Sequence, residues 1–179
     1  MMRELVKHDV MNQRLFMAIC TVFGVPNSYL DVGCGTGIMV KTAVNLGIDA
    51  VGLDIIPNAH FAVKECDLRG GFNLGKQFDL ITCIEVMEHI PESSARTALK
   101  AIANHARDSG TIFVFSAASP GQGGIDHINL KLGYWWRERI DALGFGYRHD
   151  LTTRLQLAIN LVPHPGRDWL IGNLQVFNT

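Results

Sequence analysis

The sequence has no internal repeat, no low-complexity linker and no Cys-x-x-Cys pair. Without repeats or linkers, its 179 residues are expected to form one domain. The four cysteines, Cys20, Cys34, Cys66 and Cys83, are scattered, and three lie in or beside apolar runs. That placement suits buried free thiols in a reducing compartment better than disulfides. Charge of either sign is barely in excess. A net charge of −1 gives no general attraction to nucleic acid or to an anionic membrane, so a basic patch would have to be built by the fold. Long apolar runs are missing too. The stretch Leu15 to Pro26 is too short to span a bilayer, and it follows a helix-like opening with acidic residues rather than a signal-peptide start. The expectation is a soluble, cytoplasmic protein, monomeric or homodimeric, that contacts neither membrane nor nucleic acid.

What is present is a globular composition, 47% hydrophobic and 18% charged, with enough chain to bury a core unaided. Apolar residues at Met11, Leu15, Ala18, Ile19 and Val22 have helical spacing, and Gly24 and Pro26 end that segment. Ser28 to Val32 reads as a buried strand, Ile38 to Leu46 as a helix stopped by Gly47, and Ala50 to Leu53 as a strand ending on Asp54. A weak strand near Phe61 to Glu65, a stronger one over Phe78 to Ile84, a helix over Ser94 to Arg107 and a strand over Thr111 to Phe115 follow. Beyond residue 116 the pattern loosens to a glycine-rich loop, a helix around Tyr134 to Leu143 and a last strand near Leu170 to Phe177. Alternating strands and helices imply parallel pairing with helices on both faces of the sheet. The chain thus divides into an N-terminal helix (1–25), a core (28–115) and an acceptor-side region (116–179).

The stretch LDVGCGTG, Leu30 to Gly37, places Gly33, Gly35 and Gly37 where the first strand meets the first helix of that core. In an open α/β sheet this is where ligands bind, and glycines let a ligand lie against the backbone. Asp54, at the end of the next strand, can accept hydrogen bonds from a ribose diol. The spacing is GxGxG rather than the GxGxxG of dinucleotide sites, and Asp31 precedes the first glycine. A carboxylate there repels a pyrophosphate and suits a cationic adenosine cofactor, a description that S-adenosylmethionine meets.

From about Tyr29 to Phe115 the chain resembles the class I S-adenosylmethionine-dependent methyltransferases, with LDVGCGTG, GLDI, CDL and FDLITCIEVMEHI in that family's order. The resemblance implies a Rossmann-like, doubly wound fold. Its seven-stranded sheet is mostly parallel, and the strand of its last hairpin runs antiparallel. It implies that Asp31 and the loop Gly33, Cys34, Gly35 and Gly37 hold the methionine end, with Cys34 as a spacer rather than a nucleophile. Asp54 would bind the ribose, Ile55 would pack on the adenine, Asp67 would accept from the adenine amino group and Leu68 would lie beside the ring. Glu85 would lie near the methionine moiety or the acceptor. Glu88 reads either as part of that site or as a solvated charge at a helix start, and His89 as a loop-fixing residue or a chemical one.

The acceptor side is expected after the fifth strand, where SAASPGQGGIDHINLKLGYWW brings Asp126, His127 and Asn129 beside Tyr134, Trp135 and Trp136 on a flexible, glycine-rich rim. This segment is similar to a GxGxxxHxN…YW stretch of small bacterial and phage-type methyltransferases whose acceptors vary. His127, titrating near neutrality, suits a general base, with a structural role as the other reading. Trp136 follows the apolar stripe, so Trp135 is the expected pocket wall. Asp126, His127 and Asn129 are close neighbours on one loop and rarely complete a metal shell, so no metal is expected. The expected activity is methyl transfer from S-adenosylmethionine to a small-molecule acceptor, at oxygen, on a sugar or other polar metabolite. A non-catalytic cofactor-binding module and a protein methyltransferase are the alternatives.

Overall fold

The computed structural model describes residues 2–56, 62–160 and 167–179. Helix α1 (Met2–Phe23) buries Met11, Leu15, Phe16, Ile19 and Cys20 on one stripe, the three-to-four-residue repeat the sequence carries. It stops where Gly24 takes a left-handed φ of 89°, and the guanidinium of Arg154 donates to the Val22 carbonyl at its end. Strand β1 (Ser28–Val32), helix α2 (Ile38–Asn45) and strand β2 (Asp49–Asp54) follow as expected. Of the weak strand, Val63–Glu65 forms β3, and Phe61 lies outside the described residues.

Strand β4 (Leu80–Ile84) starts later than expected, because Phe78 makes only an isolated bridge to Ala106. Helix α3 (Glu92–Ala103) ends before Arg107 because His105 turns into the core. There its Nε2 accepts from the Leu74 amide at 2.8 Å, which leaves Nδ1 to donate to the Ala101 carbonyl at 2.6 Å. Strand β5 (Ile112–Ser116) and helix α4 (Gly133–Asp141) then lead into strand β6 (Gly146–Tyr147), helix α5 (His149–Asn160), helix α6 (Arg167–Asn173) and strand β7 (Gln175–Asn178).

The sheet order is β3-β2-β1-β4-β5-β7-β6, parallel except for β7, which runs antiparallel to both neighbours. The antiparallel strand matches expectation, but β6 and β7 are joined through two helices rather than a hairpin. Leu170 corrects another expectation: it lies in α6, and only the residues from Gln175 are strand. A short apolar run such as Trp169-Leu170-Ile171 fits either state, and here Gln156 settles it by donating to the carbonyls of Ile171 and Leu174. Helix α5 escaped the periodicity because its buried stripe, Thr152, Leu155 and Ile159, includes a polar residue. The Thr152 hydroxyl donates to the Arg148 carbonyl and accepts from the Val176 amide, so its burial is satisfied.

Alternate residues of the central strands face two core layers. Leu30 and Val32 pack with Ile81, Cys83, Phe113 and Trp136, and Tyr29 packs with Phe16, Leu80, Val114 and Leu155. All four cysteines are free thiols. No helix among the described residues is long and apolar enough to cross a membrane. The chain builds outward from β1 to β3 and then jumps back to β4, so the direction of winding switches between β1 and β4. The crevice beyond their carboxyl ends is the natural ligand position.

Candidate active site

The turn after β1 is tied down from β2. The amides of Gly33 and Cys34 both donate to the Leu53 carbonyl, at 2.7 and 3.0 Å, and the Gly35 amide donates to Asp54 Oδ2 at 2.7 Å. Gly33, Gly35 and Gly37 all take left-handed φ values, of 75°, 54° and 73°. Gly33 has a second constraint, since a Cβ there would meet Val86 Cγ2 at 2.3 Å. Cys34 is buried over Gly52, where an added Cβ would meet its Sγ at 2.7 Å. Burial pushes its thiol up, with Asp31 adding to the effect, which fits a spacer and not a nucleophile. Helix α1 reaches this turn through a hydrogen bond from the Thr36 hydroxyl to Asp9.

Asp31 is 4% exposed. Thr82 donates to its Oδ1 at 2.6 Å, and the Tyr29 hydroxyl lies 2.7 Å from Thr82 Oγ1. Burial pushes the Asp31 carboxyl up to about 7, against the lowering effect of those hydroxyls, and nearby Asp54 adds to the rise. No basic side chain among the described residues forms an ion pair with it. A buried acid without a cation beside an open glycine turn fits a ligand that carries positive charge.

Asp54 ends β2 as expected, and both its oxygens accept backbone amides, from Gly35 and from Ile56. Ile55 is 55% exposed, a free apolar surface at the same edge. Asp67 accepts from the Arg69 amide and pairs with its guanidinium at 2.6 Å, and that pairing holds the exposed carboxyl below its usual range. Leu68, beside Asp67, is 5% exposed and packs into the core with Leu53 and Leu99.

Across the crevice, Glu85 directly follows β4 with a φ of 54°, a conformation that non-glycine residues rarely adopt. Its amide donates to both the carbonyl and the hydroxyl of Ser116 on β5, which holds the turn. Its carboxylate accepts from Gln122 Nε2 at 3.1 Å and from Asn173 Nδ2 at 3.4 Å. Glu88 is not the solvated charge of one expectation, because it is fully buried. Its carboxyl lies near Glu85 and the Ala118 backbone, but neither oxygen finds a hydrogen-bond partner among the described residues. Burial first, and then Glu85, push it up to about 8.

The end of the loop after β5 is tied to the turn after β4. Ile128 and Asn129 both donate their amides to the Glu88 carbonyl, and the buried Asn129 side chain donates to the carbonyls of Met87 and Ile90. Asn129 is therefore a strut. Asp126 is exposed with a φ of 59°, and its carbonyl meets His89 Nδ1 at 3.1 Å. The His127 ring lies on Gly124 and 5.0 Å from the His89 ring, edge to face.

Glu85, Glu88, His89, Gln122 and His127 line one cavity of about 710 Å³, closed by Trp169 and by Met11 and Asn12 of α1. This volume suits a small organic molecule. Gln122, Asn173 and Asn12 carry no motif that marked them in the sequence. Trp135 departs from its expected place: it lines a separate cavity of about 520 Å³ between α3 and α4, under the Arg139 guanidinium at 3.3 Å. The two adjacent tryptophans diverge because Trp136 turns into the core beneath β5.

A family model described as a methyltransferase domain matches residues 2–158. A ubiquinone biosynthesis O-methyltransferase of Methylococcus capsulatus is 29% identical over 98 residues, covering 47% of this chain and 40% of that protein. The chain thus spans about two-fifths of the length of the curated relatives it matches. The solved sugar N-methyltransferase KedS8 of Streptoalloteichus has a TM-score of 0.66 at 18% identity, covering 94% of this chain and 86% of that one. The 1,6-didemethyltoxoflavin-N1-methyltransferase of Burkholderia thailandensis, solved with its namesake compound and S-adenosylhomocysteine, has a TM-score of 0.67 at 16% identity. It covers 99% of this chain and 81% of that one, and at such identities both likenesses establish the fold. With the family model matching residues 2–158, the chain belongs to the methyltransferase-domain family.

Proposed function

We propose that this chain transfers a methyl group from S-adenosylmethionine to an oxygen of a small, polar acceptor held in the 710 Å³ cavity. One observation carries the reading. The glycine turn with its buried, unpaired Asp31 and the cavity holding Glu85, Glu88 and His127 open on the same sheet edge, on either side of the switch between β1 and β4. Asp31 and the backbone of Gly33, Gly35 and Gly37 would hold the charged methionine end. Asp54 would exchange its amide contacts for the ribose diol, Ile55 would cover the adenine, and Asp67 would turn from Arg69 toward the adenine amino group.

When bound, the cofactor supplies a methyl group already activated on a sulfonium, so the protein's main work is alignment and exclusion of water. A hydroxyl acceptor also has to lose its proton. His127, half-buried with no partner for Nδ1 among the described residues, is placed to take it. Glu85, braced by Gln122 and Asn173, orients the acceptor. The name of the Methylococcus capsulatus relative supports oxygen as the acceptor atom, and the name of KedS8 supports a sugar as a candidate acceptor. The near-neutral charge supports a small acceptor over a nucleic acid, and the four free thiols support a reducing, cytoplasmic setting.

The test incubates the full chain with radiolabelled S-adenosylmethionine and a panel of hydroxyl, amine and activated-carbon acceptors, reading S-adenosylhomocysteine and labelled product. Label transferred to a hydroxyl acceptor supports the reading. Cofactor binding without label transfer to any acceptor, in the panel or in cell extract, favours a non-catalytic module instead.

A further inference from the structure

We propose that Glu88, His89 and His127 form a binding site for one divalent transition-metal ion in the wall of the acceptor cavity. Each offers one ligand atom, and the three atoms lie within 4.8 Å of one another. A shared ion needs them roughly 3–3.5 Å apart, given metal–ligand bonds of about 2.0–2.2 Å, so modest side-chain rotations complete the set.

Three independent features point to a ligand. Glu88 is fully buried, and although its carboxyl lies close to the Ala118 backbone and to the Glu85 carboxyl, neither oxygen makes a well-formed hydrogen bond among the described residues. Such a group is costly unless a partner arrives, and a cation is the partner a carboxylate accepts best. The Nδ1 of His127 is likewise buried and unpartnered. His89 Nδ1 faces the Asp126 carbonyl at 3.1 Å, and as the donor in that contact it leaves Nε2 as the free lone pair. This arrangement, one imidazole nitrogen fixed by a carbonyl and the other open, is the outer-shell support that metal-binding histidines use.

The backbone holds the ligands together across the fold. Glu88 and His89 sit on the turn after β4, His127 on the loop after β5, and the Ile128 and Asn129 amides bind the Glu88 carbonyl at 2.9 and 3.0 Å. An added Cβ at Gly124 would meet the His127 ring at 2.1 Å, so this glycine leaves the ring its place.

Two imidazoles and one carboxylate favour zinc, manganese, iron or cobalt over calcium or magnesium, which prefer all-oxygen shells. Three protein ligands leave positions open to the cavity, where an acceptor oxygen can coordinate. That catalytic use rests on the proposed methyl transfer: with the ion in place His127 is a ligand, and the acceptor proton passes to Glu85. The site itself does not depend on the reaction.

The full chain, stripped with chelator and dialysed, is titrated with Co²⁺ by absorption and with Zn²⁺ and Mg²⁺ by calorimetry. The expected result is one Co²⁺ or Zn²⁺ per chain, visible d–d bands and no comparable Mg²⁺ binding. Glu88→Gln and His127→Ala each weaken Zn²⁺ binding by more than about 100-fold, beyond an outer-shell loss. Gly124→Ala weakens it less, by displacing the ring. Circular dichroism and S-adenosylmethionine titration of the same samples report folding and the cofactor site. Should a variant fail to fold, the coordination number and nitrogen ligands from Co²⁺ X-ray absorption of the wild type decide. Absence of stoichiometric binding, or binding indifferent to these substitutions in folded protein, overturns the site while leaving methyl transfer intact. Metal binding in a chain that transfers no methyl group overturns the reaction and leaves the site.

Discussion

The glycine turn after β1 and the loop after β5 share one sheet edge but leave their polar groups in different conditions. At the turn, nearly every group is satisfied within the chain: Asp54 by two amides, Asp67 by Arg69, the Gly33 and Cys34 amides by Leu53. Asp31 is the exception, hydrogen-bonded but without a cation. Around the loop, the backbone is satisfied while some side chains are not, since Glu88 and His127 keep buried polar atoms without hydrogen-bond partners among the described residues. The turn is fixed by hydrogen bonds within the chain, whereas the cavity wall carries buried polar atoms that a bound ligand could satisfy.

The largest effect should come from breaking the turn. Gly33→Ala forces an L-residue into a left-handed φ and drives its Cβ into Val86, so the expected loss is about 2–4 kcal/mol of stability with cofactor affinity. Urea unfolding and calorimetry check both. A neutral outcome would mean that the turn is not preformed.

The second prediction concerns the unmet acids. Asp31 has its folded pKa raised to about 7 from 3.8 and Glu88 to about 8 from 4.5, so between these limits the folded chain binds more protons than the unfolded one. Stability of the ligand-free chain therefore falls as pH rises from about 4 to about 8, by roughly 4 kcal/mol for Asp31 alone. Asp31→Asn flattens the part of this slope ending near pH 7, and Glu88→Gln the part extending above it. Chemical denaturation across that range reads the slope, and a flat wild-type profile would show that neither acid is unmet.

A smaller effect is expected where the polar group is satisfied. Asp54→Ala removes the proposed ribose acceptor and two amide contacts, so cofactor affinity is expected to drop by about 1.5–3 kcal/mol and stability by about 1 kcal/mol. Unchanged affinity would place the ribose elsewhere. The smallest effect belongs to Trp135→Ala, which lies outside the shared edge. It should cost about 1–2 kcal/mol from lost packing and the Arg139 contact, with turnover unaltered. A loss of turnover with intact folding would return Trp135 to the acceptor site.

The same contrast explains what the sequence disclosed. The turn is local: strand, GxGxG and the acid of the next strand lie between Tyr29 and Asp54, so spacing alone located Asp31, Gly33 and Asp54. The cavity is assembled from four separate segments, among them α1 through Asn12 and α6 through Trp169. Asn173 sits in a stretch that reads as strand because Leu170 and Ile171 suit either state, and it reaches Glu85 only through the helix that Gln156 caps. Glu88 beside His89 looks like a surface pair in one dimension, and only the Asn129 strut and the covering loop bury the carboxylate. Trp135 was misplaced because the start of a helix does not fix on which side of it each of two adjacent tryptophans packs.

The most direct measurement is a calorimetric titration of S-adenosylmethionine into the full chain at about pH 6 and about pH 8, repeated with Asp31→Asn. A cationic ligand favours ionised Asp31, whose carboxyl is raised to about 7, so affinity should be higher at pH 8 by up to roughly tenfold. It should become weak and insensitive to pH in the variant. No binding, or wild-type binding with neither a pH dependence nor a requirement for Asp31, would contradict the account.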